Sequence, residues 1–341
     1  MSAGDRDPTL KPGTVLASAP LFVVSMGRSG STLLYALLNK HPQVALMFEA
    51  DLVCLRYMFL RPTAFCNWSE RWELFNDALR RHGLTSAEVN GCPSDFCSAF
   101  TATHQLFARR KGATIWGDKS PSYFNQLNRM ADDFPGARFI VVWRSPKDTA
   151  NAVLRARSTG SAHFRRRGAI LREFIGYETL KKECDRLLAR GKPVCQVNYE
   201  DLTSETPLVM EQVCDFLQIP YDDSLSNLDG ADRSAIYEAP HHANVRGDKI
   251  VRDPRPELVS SGLRTQIGRY VAWWHQVYGP HWPPYPQTTD GAVRAPNRIS
   301  RIVDAGVYRM FRTWDEIVRI GYSSAPISLL VRYRGRHPAR A

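Results

Sequence analysis

The 341-residue sequence contains no apolar run near the roughly 18 to 20 residues that a membrane-spanning helix requires. Nor does it open like a secretory leader, because residues 1–20 are polar and broken by Pro8, Pro12 and Pro20. Cysteine is sparse. The seven thiols, at 54, 66, 92, 97, 184, 195 and 214, are scattered, odd in number and free of any Cys-x-x-Cys pair. That spacing speaks against a disulfide framework and a zinc site, and it predicts free thiols in a reducing cytoplasm. Internal repeats and collagen-like or prion-like tracts are lacking too. The triphosphate-loop signature Gly-x-x-x-x-Gly-Lys-Ser/Thr does not occur, which argues against ATP hydrolysis and kinase chemistry.

What the chain does hold is apolar material for a sizeable core: at 43% hydrophobic residues it can build one large domain or two small ones. Short apolar segments at 21–25, 113–116, 138–143 and 194–198 read as strands, with helical patterns between them. Such alternation predicts an α/β fold, a P-loop-like parallel sheet flanked by helices on both faces, with ligands at the carboxyl ends of its strands. Residues 50–112 read as a mostly helical insertion whose Trp68, Trp72, Phe96 and Phe100 fill a local core or wall a ligand pocket. Residues 155–190 read as a second helical insertion. The organisation expected is a flexible N-terminus over 1–19, a main domain over 20–285, a Pro-rich linker over 286–297 and a basic amphipathic helical tail over 298–341.

One stretch carries most of the chemistry. Residues 21–24 are apolar and rich in valine; they break into Gly27-Arg28-Ser29-Gly30-Ser31-Thr32, after which Leu33, Leu34, Leu37 and Leu38 recur at helical spacing. Strand, small-residue loop and helix in succession make an anion cradle, because loop amides turn inward and the helix start adds positive potential. The ligand this predicts is a phosphate or a group of that shape. Taken alone, the same residues also fit a capped strand-to-helix turn that holds nothing.

The motif GRSGSTLL, followed by HPQV, resembles the 5′-phosphosulfate loop of sulfotransferases that use 3′-phosphoadenosine 5′-phosphosulfate (PAPS). It is most similar to the branch containing the tyrosylprotein sulfotransferases and many bacterial ones. Three further segments fit in the family's order: WGDKSPSYF (116–124), FIVVWRSPKDTANAV (139–153) and VNYEDLTSETPLVMEQVCDFLQIP (197–220). The resemblance implies an enzyme that moves a sulfuryl group from PAPS to a hydroxyl acceptor by in-line displacement. It implies 3′,5′-adenosine diphosphate as product and no metal. The acceptor stays open among small molecule, carbohydrate, lipid and tyrosine.

Carried onto this sequence, the resemblance implies that the amides of Ser29, Gly30, Ser31 and Thr32, with the Ser31 and Thr32 hydroxyls, hold the 5′-phosphate. Arg28, permanently charged and forked, suits the phosphosulfate and is implied to stabilise the transition state. Lys119, in Gly-Asp-Lys-Ser-Pro, reads as a turn residue after a strand and is implied to meet the sulfuryl group or bridging oxygen. Glu49, eight residues after His41, falls where that branch has its catalytic base. His41 is the rival base, while His104 and His163 have no supporting motif. Arg144 is implied to bind the 3′-phosphate and Tyr199 to touch the adenine side. The family's usual serine eight residues after that arginine is Ala152 here, leaving Asn151 or a nearby arginine to take its place. HHANVRGDKIVR (241–252) loosely resembles the loop that closes over the donor.

The net charge is +11, and ten Arg against three acidic residues from 291 onward supply +7 of it. Ile299, Ile302, Met310, Trp314 and Ile317 fall on one helical face with the arginines mostly off it. The tail reads as a helix folded back on the domain, as a homodimer contact, or as a basic amphipathic helix on an anionic membrane. The expected location is the cytoplasm, peripheral at the inner face of the membrane. Arg155, Arg157, Arg165, Arg166 and Arg167 form a basic stretch that steers an anionic ligand or simply lines a solvated helix. The rival classes are a P-loop nucleotide kinase or hydrolase and a basic membrane- or nucleic-acid-binding protein. No nucleic-acid partner is expected, because the aromatics do not interleave with the basic residues.

Overall fold

The structure, a computed structural model, describes residues 16–52, 76–89, 96–158, 169–238 and 240–250, with the single positions 299, 302, 306 and 310. Residues 1–15, Trp68, Trp72, His163, Arg165, Arg166 and Arg167, the linker over 286–297 and most of the tail over 298–341 lie outside the described residues.

Among the described residues, parallel strands form one sheet: β1 (Leu21–Ser25), β2 (Val44–Phe48), β3 (Ile115–Lys119), β4 (Arg138–Trp143) and β5 (Val194–Asn198). Their order is β2-β3-β1-β4-β5. Connecting them are α1 (Ser31–Leu38), α2 (Asn76–Arg81), α3 (Phe96–Lys111), α4 (Leu127–Asp133), α5 (Pro146–Ser158) and α6 (Ala169–Ala189). After β5 come α7 (Tyr199–Ser204) and α8 (Thr206–Leu217).

β1 reads LFVVS and is buried along its whole length, as a central parallel strand covered on both faces must be. Its side chains alternate between two cores. Phe22 and Val24 pack with Trp116, Phe139, Phe100 of α3 and Leu180 of α6. Leu21 and Val23 pack with Ile140, Leu34 of α1 and Val213 of α8. The Phe22 ring stacks 5.6 Å from Phe139 and lies 5.4 Å from Phe100, a position where truncation to alanine costs about 3–5 kcal/mol. The parallel α/β sheet with helices on both faces is therefore the fold expected from the alternating pattern.

Two departures from the sequence reading shape the site. Val44–Phe48 is a strand that the pattern did not announce: VALMF is a continuous apolar run, buried throughout, and carries no period to read. β3 spans Ile115–Lys119 instead of 113–116. Gly117 permits this, since a Cβ there would lie 1.8 Å from the Leu21 carbonyl oxygen of the neighbouring strand. Lys119 is thus the last residue of a buried strand, not part of the turn after it.

Candidate active site

The carboxyl ends of β1, β2, β3 and β4 converge. β1 leaves the sheet through a loop in which Arg28 (φ 66°) and Gly30 (φ 93°) both take left-handed backbone. Glycine at 30 is required twice over, because a Cβ there would also lie 2.1 Å from the Tyr199 ring. No side chain caps α1, and Leu33 N already donates to the Gly30 carbonyl at 2.9 Å, so the Ser31 and Thr32 N–H groups and the positive end are what face a ligand or solvent.

The loop is braced by its own hydroxyls. Ser29 hydrogen-bonds through Oγ to the Tyr177 hydroxyl of α6, which also meets Thr149 Oγ1 of α5 at 3.1 Å. Burial pushes the Tyr177 phenol up, so it stays neutral. The Ser29 amide donates to the Met26 carbonyl at 3.3 Å, and Ser31 Oγ accepts from Ser25 Oγ at 2.8 Å. Thr32 Oγ1 accepts instead from Lys119 Nζ at 3.0 Å. Ser29 and Ser31 therefore tie the loop to β1, α5 and α6, while Thr32 reaches across to β3.

Arg144, immediately after β4, donates from Nη1 to the Arg28 carbonyl at 2.9 Å, and its guanidinium lies 4.1 Å over the Tyr199 ring. The following amide, Ser145 N, donates to Glu200 Oε1 at 2.9 Å, which fixes the start of α5. Burial, and then repulsion from Arg144, lower the Arg28 guanidinium to about 10, still cationic near neutrality. Two arginines gathered beside an uncapped helix start are relieved by an anion carrying more than one charge. Ala152, buried on α5, offers no hydroxyl to such an anion.

Glu49 follows β2 in left-handed backbone (φ 47°), and so does Asp51 (φ 56°). Neither is glycine, so the turn stores strain on the order of 1–3 kcal/mol per residue and needs contacts to hold it. Those contacts are present. Glu49 N donates to the Lys119 carbonyl at 2.8 Å, and Arg81 Nη2 donates to the Glu49 carbonyl at 3.3 Å. Arg81 Nη1 reaches the Phe48 carbonyl at 3.2 Å, and Ala50 N reaches Asp118 Oδ1 at 3.4 Å. Ser120 Oγ donates to Asp51 Oδ1 at 2.6 Å. Burial and the Glu49 carboxylate push Asp51 up to about 7.

The Glu49 carboxylate is itself held from two sides. Lys119 Nζ donates to Oε1 at 2.7 Å, and the Tyr237 hydroxyl donates to Oε2 at 2.9 Å. Lys119 is fully buried, with its ammonium 4.2 Å over the Phe48 ring; burial lowers its pKa and Glu49 opposes that. The rival base, His41, is engaged elsewhere. His41 accepts from Gln43 N at 3.1 Å and sits 3.0 Å from the Pro220 carbonyl. His104 is buried in α3, its Nδ1 at 2.8 Å from the Phe100 carbonyl. Among the described residues no cluster of three His, Cys, Asp or Glu gathers as a metal site.

The structure thus brings together Arg28, Thr32, Glu49 and Lys119, with Arg144 and Tyr199 braced against the same loop. Sequence reasoning missed Tyr237, Arg81 and the Ser29–Tyr177–Thr149 chain. Tyr237, Arg81 and Tyr177 belong to no motif, and a single tyrosine or arginine between unpatterned residues gives no signal.

A strand–loop–helix turn at the carboxyl edge of a parallel sheet, rimmed by the partly buried Arg28 and Arg144 and the buried Lys119, defines an α/β protein whose site has the form and charge that suit a phosphate-like anion. The chain belongs to the sulfotransferase family: the model of that family matches residues 20–223. It is similar to protein-tyrosine sulfotransferase A of Caenorhabditis elegans, at 25% identity over 208 residues, 60% of this chain and 51% of that protein. It is also similar to the Drosophila melanogaster protein-tyrosine sulfotransferase, at 26% identity over 210 residues, 60% of this chain and 39% of that one. The chain therefore spans about half or less of the length of these curated relatives. Its fold is similar to that of the solved sulfotransferase domain from the curacin biosynthetic pathway. There the TM-score is 0.51 at 19% identity, covering 75% of this chain and 98% of that one.

Proposed function

We propose that the protein transfers a sulfuryl group from PAPS to a hydroxyl acceptor. The observation that carries this reading is the meeting of Arg28, Lys119 and Glu49 beside the uncapped start of α1. PAPS, when bound, supplies the activated sulfuryl group and a stable leaving group. The first-turn amides of α1 and Arg28 suit its 5′-phosphosulfate, and Arg144, backed by the Tyr199 ring, suits its second phosphate. Glu49 takes the acceptor's proton. Lys119 offsets negative charge at the leaving oxygen. Positioning and neutralisation of this kind are what an in-line displacement asks of a protein.

The two tyrosine-named relatives make a peptide tyrosine the first acceptor to try, ahead of simple phenols, sugars and lipids. Incubation with radiolabelled PAPS and these acceptors in turn should label at least one class. Glu49→Gln should abolish that transfer while leaving affinity for 3′,5′-adenosine diphosphate largely intact. Labelling of none, or undiminished turnover by the variant, would overturn the assignment.

We further propose a cytoplasmic enzyme held at the inner face of the membrane by its C-terminal segment. Among the described residues no helix is long and apolar enough to cross a membrane. Support for surface attachment comes from the helical positions Ile299, Ile302 and Met310, exposed by 73%, 63% and 62%, in a segment carrying +7. The full chain should sediment with phosphatidylserine vesicles but not with phosphatidylcholine vesicles, and Ile302→Glu with Met310→Glu should reduce this. Equal partition of both forms, or a solution dimer that hides these residues, would remove the idea.

A further inference from the structure

We propose that Tyr237 is a positioning residue for the general base: its hydroxyl holds Glu49 by Oε2 and keeps the carboxylate oriented while Lys119 changes partners at Oε1. This rests on the sulfuryl-transfer reading and adds a residue from beyond the family match, which ends at 223.

The geometry is specific. Tyr237 donates to Glu49 Oε2 at 2.9 Å, on the oxygen that Lys119 does not use. Its ring is gripped by Phe48 at 5.5 Å and His242 at 5.0 Å, both edge-on, with the Arg81 guanidinium at 5.7 Å. A ring held on three sides leaves its hydroxyl little freedom. Burial and the Glu49 carboxylate both raise the phenol's pKa, so it remains a donor throughout the working pH range.

Lys119 has the opposite character. Its ammonium is already divided between Glu49 Oε1 and Thr32 Oγ1 of the loop helix, at 2.7 and 3.0 Å. When charge develops on a leaving oxygen beside that helix start, Lys119 is a cation within reach of it, and moving there releases Oε1. A lone pair is thereby freed for the proton of an acceptor hydroxyl. Were Lys119 the sole anchor, the base would lose its orientation at the step that needs it, on a backbone already strained at φ 47°. Tyr237 keeps that anchor through the exchange. The groups that face Glu49 are Lys119, Arg28, Asp51 and Tyr237 around the carboxylate, with Arg81 on its carbonyl.

Tyr237→Phe in the full chain removes the hydroxyl and leaves the ring contacts. Turnover should fall roughly tenfold to a hundredfold, the range expected for losing a hydrogen bond to a charged group. The acid limb of the pH–rate profile should move to higher pH, since the lost donor favoured the ionised carboxylate. Affinity for 3′,5′-adenosine diphosphate should not change, and the thermal midpoint should fall only modestly, leaving the variant folded at the assay temperature. The same displacement in an Asp51→Asn background separates Glu49 from its titrating neighbour. Carbon-13 NMR of the Glu49 carboxyl, identified by its absence in Glu49→Gln, reads the same upward shift with no acceptor present. An unmoved limb and an unmoved carboxyl titration would overturn the proposal. So would a loss of activity that merely follows a loss of stability or nucleotide affinity. Wild-type activity with a fully active Glu49→Gln would instead sink the underlying assignment of the base.

Discussion

At the residue scale, the Glu49–Lys119 pair concentrates the chemistry. A buried lysine is costly unless paired, and the net contribution of such a pair to stability is small, because desolvation offsets the attraction. On the proposed function, its value lies in storing a cation and a base in contact where donor and acceptor would meet. Lys119→Met, which keeps most of the bulk, should lower turnover by about 10²–10³-fold, the scale of losing a preorganised charge partner. Steady-state kinetics beside titration with 3′,5′-adenosine diphosphate checks this; a variant that loses nucleotide affinity and turnover equally would point to a binding role only. Arg28 and Lys119 were legible because each stands in a recognisable motif, and Glu49 through its spacing from His41. Tyr237 was not, because its role arises from a contact across 188 positions of sequence that no local spacing encodes.

At the scale of elements, the short helix α2 and the residue after it anchor the strand that presents Glu49. His82 Nε2 accepts the Phe48 amide at 2.7 Å while Nδ1 lies 2.6 Å from the Ala78 carbonyl, so the neutral ring bridges β2 and α2. Burial pushes His82 down from 6.5 to about 4. Protonation would destroy the acceptor facing Phe48. The folded value lies below the unfolded one, so this contribution is fully present above pH 6.5 and is lost as pH falls toward 4. It amounts to something on the order of 3 kcal/mol. Urea denaturation at pH 7 and pH 4.5 should show the wild type losing more stability than His82→Gln; parallel losses would contradict the assignment. β2 escaped sequence reading for a related reason. VALMF shows neither alternation nor helical period, and unlike β1 it has a single β-branched residue among helix formers, so its place is set by partners that arrive from α2 and β3.

For the whole molecule, the parallel sheet explains why four segments spread from residue 21 to 220 come to one edge. Each motif ends a strand, and parallel strands deliver their carboxyl ends to the same edge. That regularity made the α/β architecture and most of the anion cradle readable in advance. The closing contacts were not readable, since they come from packing after residue 223 and from buried hydroxyl pairs such as Ser29 with Tyr177. We predict that the Gly27 loop and Arg144 together hold a nucleotide bearing phosphates at both the 3′ and 5′ positions. Calorimetric titration with 3′,5′-adenosine diphosphate, 5′-AMP and ATP-magnesium tests it most directly. The doubly phosphorylated nucleotide should bind tightest, with Arg144→Ala weakening it by about tenfold or more and erasing its advantage over 5′-AMP. Tighter binding of ATP-magnesium, or a preference that survives Arg144→Ala unchanged, would contradict it.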